Sequence, residues 1–187
     1  VSINQAGVRI AQPEADAVEA VESLYAYPMG RIDMKAQDWV LATLDPVRAR
    51  VLWQVAVAAE LAGTLKGGLK SVLAHVRDRH QFGRPIGSFQ AVQHRLAING
   101  IEIEAARMQM LKAAQTQLPH DSCLALGYAQ GLARRAIYDF HQFMGAMGLT
   151  LEHPLHRWTY RARLLRAEMG GPSEAYGRYA TQRWGAA

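Results

Sequence analysis

An all-α fold, an antiparallel four-helix bundle behind a short irregular or β lead-in, is what this 187-residue sequence predicts. Three observations carry that expectation. The pair Asp45-Pro46 divides short β-prone pieces from a long helical periodicity. Beyond it, apolar residues from Val51 to Val76 step alternately by four and three, one sustained helical stripe. Glycine and proline then cut the remainder into helix-length segments with short connections, the pattern of antiparallel neighbours.

In chain order, residues 1–44 form the lead-in. GVRIA and LYAYPMGRIDM are β-prone but broken by Pro13, Pro28 and Gly30, while QPEADAVEAVES is acidic and suits a loop or short helix. Residues 45–187 form the bundle. The first helix, capped by Asp45, carries Val51, Val55, Ala58, Ala62, Leu65, Leu69, Val72 and Val76 to about Arg79. Ala59, Gly63 and Gly67 recur at every fourth position on it, and such small residues predict close approach of another backbone. Ser88 is the predicted cap of a second helix reaching Gln117 before Pro119 intervenes. A third begins at Asp121-Ser122 and ends near Gly145 and Gly148, and a fourth runs from Pro154 to Met169. A short final helix covers Ser173 to Trp184.

Half the residues are apolar and a fifth charged, an ordinary globular composition. No run has the length of a membrane span, and the first residues show neither a basic nor an apolar signal region, so the expected location is cytoplasmic. The first residue is Val rather than Met, which suggests a processed, trimmed or unusually initiated product. The single cysteine, Cys123, has no disulfide partner and reads as a small buried apolar residue. Net charge is +5, concentrated late: six arginines follow His156 (157, 161, 163, 166, 178 and 183) against Glu168 and Glu174. Guanidinium groups in that density suit phosphate-bearing partners or a solvated, ion-paired helix face.

The stretch RDRHQFGRPIGSFQ (77–90) holds the candidate site. Arg77, Arg79 and His80 suit the negative end of the first helix dipole. The dipole does not account for Phe82, an aromatic side chain in a connection expected to be exposed. An aromatic face beside guanidinium groups fits a nucleotide; a capped turn with one aromatic plug is the alternative.

The run from Arg79 to Ala97, RHQFGRPIGSFQAVQHRLA, resembles the signature between the first two helices of the acyl-CoA dehydrogenase C-terminal domain. IEAAR (103–107), QFMGAMG (142–148) and LEHPLHR (151–157) extend the resemblance in the right order, over roughly residues 46–169. It implies that Arg79 holds the FAD pyrophosphate, that Phe82 lies against the adenine end, and that Gln81 and Gln90 hydrogen-bond nearby. It further implies that Gln142 and Gly145 reach the FAD of a neighbouring subunit. The partners implied are a second copy or another acyl-CoA dehydrogenase-type subunit, an acyl-CoA substrate and an electron-transfer flavoprotein. The implied reaction is α,β-desaturation of the thioester, with a glutamate as base.

Two departures limit the resemblance. Aligned with the family, the base position falls on Gly170, its alternative falls near Trp53, and neither is a carboxylate. Glu168 lies two residues away and is the one weak candidate, presented by a shifted loop or else solvated at a helix end; Glu60 reads as a packing residue. Only 44 residues precede the bundle, where the family has a helical and a β-domain, so the expectation is a fragment, a split-gene subunit or a reduced partner in a hetero-oligomer. A cofactor-free dimerisation or interaction module built on the same fold is the alternative. His153 and His156 lack a third ligand, so no metal is expected, and nothing resembles a nucleic-acid motif.

Overall fold

The computed structural model of the chain describes residues 1–4, 6–23 and 28–185. In the lead-in, β1 (Ser2–Asn4), β2 (Gly7–Ile10), β3 (Glu19–Val21), β4 (Met29–Arg31) and β5 (Val40–Ala42) form two small antiparallel sheets, β1-β2-β5 and β3-β4. Of the piece LYAYPMGRIDM, residues 24–27 lie outside the described residues. Val8 is the one described strand residue that is fully buried, and β1 and β2 rest on α1.

Helix α1 (Pro46–Asp78) starts as Asp45 predicts: its carboxylate accepts from the Arg48 N–H at 2.8 Å, and Pro46 occupies the first turn. At 33 residues it is about 50 Å long. The apolar stripe is buried apart from half-buried Val55. Helices α2 (Gln90–Thr116), α3 (Pro119–Met144), α4 (Leu155–Ala167) and α5 (Gly171–Trp184) complete the set.

Helix α3 is the centre, in contact with α1, α2, α4 and α5. Its buried Ala125, Gly127, Ala129, Ala133 and Ala136 present no bulk, so neighbours approach closely on every side. At Gly127 the Tyr176 ring of α5 leaves only 3.1 Å to an added Cβ, so the last helix is part of the core and not a tail. Between α2 and α3, Asp139 pairs with Arg95 and accepts from Asn99 Nδ2 at 2.7 Å.

Several boundaries differ from the sequence expectation, two of them for one reason. Pro119 and Pro172 do not precede helices but sit in their first turns, where no N–H is needed. Asp121 is therefore inside α3 and buried, accepting from Lys112 Nζ at 2.7 Å and Thr116 Oγ1 at 2.8 Å. Phe89, not Ser88, is the cap residue of α2, and the Ser88 hydroxyl donates to the Pro85 carbonyl at 2.7 Å. The small-residue row has a different use from the one expected. Gly67 makes room for the Trp158 indole of α4, and Gly63 faces open space.

Candidate functional site

After α1 the chain folds into a minimal hairpin, β6 (His80–Gln81) against β7 (Arg84–Pro85), with Phe82 and Gly83 as its two-residue loop. Both loop residues have positive φ, +57° and +79°, which a two-residue turn between twisted antiparallel strands demands. Glycine meets this at no cost, whereas phenylalanine does not. The strain sits on a ring that is 91% exposed at the hairpin tip. Strained backbone and an exposed aromatic in one residue point to a ligand contact.

Around that tip, the Ile86 N–H donates to the Arg79 carbonyl at 2.8 Å and closes the hairpin against the end of α1. The Phe82 and Phe89 rings meet edge to face at 6.2 Å, and the Arg84 guanidinium lies 4.0 Å from the Phe89 ring centroid. Arg79, Gln81 and Gln90 are all exposed. The Arg79 side chain hydrogen-bonds to no described residue, so its donors are free for an anion. Arg84 and Phe89 were not singled out from the sequence, although both lie in the quoted stretch; their pairing depends on the hairpin register.

Gln142 is exposed near the end of α3, and Gly145 is that helix's C-cap with φ +58°. They share an end of the bundle with the hairpin, because α1 and α3 run in the same direction past an antiparallel α2. Contact of Arg95 in α2 with Phe143, 4.9 Å from guanidinium carbon to ring centroid, fixes that arrangement. Burial, then the charges of His153 and Arg79, hold His75 below its ordinary value. No described hydrogen bond or ion pair links Gln142 or Gly145 to the hairpin residues. Just before α4, the His153 Nδ1 accepts from the Leu155 N–H at 3.2 Å, and among the described residues no group of His, Cys, Asp or Glu is arranged to hold a metal.

The carboxylate positions meet elsewhere. Trp53, Glu60 and Glu168 line one groove of about 510 Å³ between α1, α4 and the first strands, with Val8 and Leu52 among its apolar walls. Glu60 is ion-paired with Arg161 across the groove. Glu168 closes α4, and its carbonyl accepts from Gln130 Nε2 at 2.9 Å. Gly170, with φ +91°, is exposed beyond it. Of the two places where the resemblance puts a base, the one near Trp53 therefore lies in this groove, Gly170 follows two residues after Glu168, and the acids in the groove are Glu60 and Glu168.

Comparison with known proteins matches residues 51–183 to the family described as acyl-CoA dehydrogenase, C-terminal domain. Acyl-CoA dehydrogenase FadE34 of Mycobacterium tuberculosis is 30% identical over 154 residues, 79% of this chain and 22% of its own length. Probable acyl-CoA dehydrogenase YngJ of Bacillus subtilis is 35% identical over 140 residues, 72% of this chain and 35% of its own. Among solved structures, a Tcur3481-Tcur3483 steroid ACAD variant superposes with TM-score 0.82 at 26% identity, covering 89% of this chain and 48% of that one. The ChsE4-ChsE5 complex from Mycobacterium tuberculosis gives 0.79 at 27%, covering 91% and 50%. The chain thus spans at most half of each of these proteins.

Proposed function

This chain belongs to the acyl-CoA dehydrogenase family, matched through the C-terminal domain, and from that we propose that it is an FAD-binding subunit or fragment of an acyl-CoA-desaturating assembly with no base of its own. The observation that carries the proposal is the hairpin: Arg79 at its base has a guanidinium with no described partner, and Phe82 at its tip holds an aromatic ring outward at a strained φ. Arg79 binds the pyrophosphate through charge-assisted hydrogen bonds, Phe82 covers the adenine end, and Gln81 and Gln90 supply polar contacts. Gln142 and Gly145 reach the cofactor of a neighbouring subunit. When bound, FAD supplies the hydride acceptor for desaturation of the acyl thioester.

Residues 1–44 serve as a part of the family's β-domain. An apolar row on the outer face of α2, Ile98, Ile101, Met108 and Leu111, is exposed and supports assembly with a second copy or another dehydrogenase-type subunit. The paired names of two solved neighbours, the Tcur3481-Tcur3483 steroid ACAD variant and the ChsE4-ChsE5 complex, support the same reading. No described helix is long and apolar enough to cross a membrane.

FAD titration of the purified chain, alone and with its co-purified partner, tests the proposal. Arg79→Ala is expected to weaken FAD binding by about tenfold or more. A chain that dimerises but takes up no FAD in either form is a cofactor-free interaction module, and the proposal fails. Glu168→Gln is expected to leave turnover of the assembled complex within about twofold, since a lost catalytic base would cost about 100-fold or more.

A further inference from the structure

A basic concavity with no hairpin residue in its lining lies between the outer faces of α3 and α4 and the turn after α3. It measures about 690 Å³ and is lined by Arg134, Tyr138 and His141 from α3 and by Tyr160, Arg163 and Arg166 from α4. No Asp or Glu lines it. Arg31, Arg95, Arg107, Arg135, Arg161 and Arg178 each pair with a carboxylate, while other arginines, Arg79 and Arg84 among them, do not. The three arginines here have none among the described residues.

Unpaired arginines on a convex surface are solvated and carry no message. Here the Nε of Arg166 is buried without a hydrogen-bond partner, a donor withdrawn from water and left unmade. His141 is locked in place by Thr159, its Nε2 lying 3.1 Å from the hydroxyl oxygen. Its Nδ1 lies against the Gly148 backbone without a well-formed hydrogen bond. Two phenol rings on the walls add flat apolar surface beside the guanidinium groups.

We propose that this concavity binds a small organic phosphate carrying a planar ring, a nucleotide-type ligand, with Arg134, Arg163 and Arg166 on the phosphates and Tyr138 and Tyr160 against the ring. Guanidinium forks match phosphate oxygens in pairs, and a cavity of this size holds one such molecule. The late concentration of arginines is thereby used in part, independently of the flavin hairpin.

Isothermal titration of the full chain with ADP, with inorganic phosphate and adenosine as separate titrants, tests the site. Saturable ADP binding is expected, with weaker binding of phosphate and of adenosine. Arg163→Gln and Arg134→Gln, both at exposed positions that fold without them, are each expected to weaken ADP binding about tenfold. ADP binding lost in Arg79→Ala but kept in the other two would assign it to the hairpin and overturn the inference. Absence of ADP binding, or loss of oligomer in Arg163→Gln, which would mark the face as a protein contact, would overturn it equally. Flavin uptake is read separately, so this site and the hairpin can fail independently.

Discussion

The Trp158 indole of α4 lies directly over Gly67 of α1, so close that a Cβ at residue 67 would sit 2.5 Å from its Nε1. The glycine is a socket for a side chain on a neighbouring helix.

That contact separates two glycines of one helix. Gly67→Ala gains helix propensity, about 1 kcal/mol, but forces the indole to move, an overpacking cost of about 1–3 kcal/mol, so a net loss of stability is expected. Gly63→Ala, one turn earlier with no atom within 4 Å, is expected to gain about 0.5–1 kcal/mol. Urea melts of the two variants check the opposite signs.

At the hairpin tip, stability and binding oppose each other. Phe82→Gly relieves a positive φ that costs a non-glycine residue about 1–2 kcal/mol, and it gives up only an exposed edge-to-face contact. A higher melting temperature together with weaker FAD binding is expected. A variant that is less stable would show that the ring supports the hairpin instead.

Asp121 ties stability to pH. Burial acts to raise its pKa, but the hydrogen bonds from Lys112 and Thr116, with the Lys112 charge, outweigh it and leave the carboxyl below its ordinary 3.8. A depressed folded-state pKa means stability present above about 3.8 and lost as the pH falls through the lower folded value. Asp121→Asn is expected to cost about 1–2 kcal/mol at neutral pH, with the gap closing in acid, as chemical melts across that range will read.

Cys123 is buried, and burial pushes its thiol pKa up. Gln54 Nε2 lies 3.3 Å from its Sγ and holds it inside. Reaction with a disulfide reagent at mildly alkaline pH is expected to be slow in the folded chain and fast in denaturant; rapid labelling of native protein would show that α3 opens readily.

Much of this molecule is legible in linear order. The Asp45 cap, the stripe from Val51 to Val76 and the spacing of breaks identify the bundle, because caps and periodicity act within one or two helical turns. The stretch from Arg79 to Ala97 likewise identifies the family. The structure places Pro119 and Pro172 in the first turns of helices, a role the sequence does not distinguish from helix breaking, because the two look alike until the following turn is known to be packed. What required the tertiary structure is contact between distant segments: Trp158 over Gly67, Arg95 on Asp139, Arg84 over Phe89. The same holds for the meeting of Trp53, Glu60 and Glu168 in one groove and for the unpaired arginines of α3 and α4 around another. Local propensity is written residue by residue, whereas burial, pairing and the shape of a cavity exist only once helices far apart in the chain have packed together.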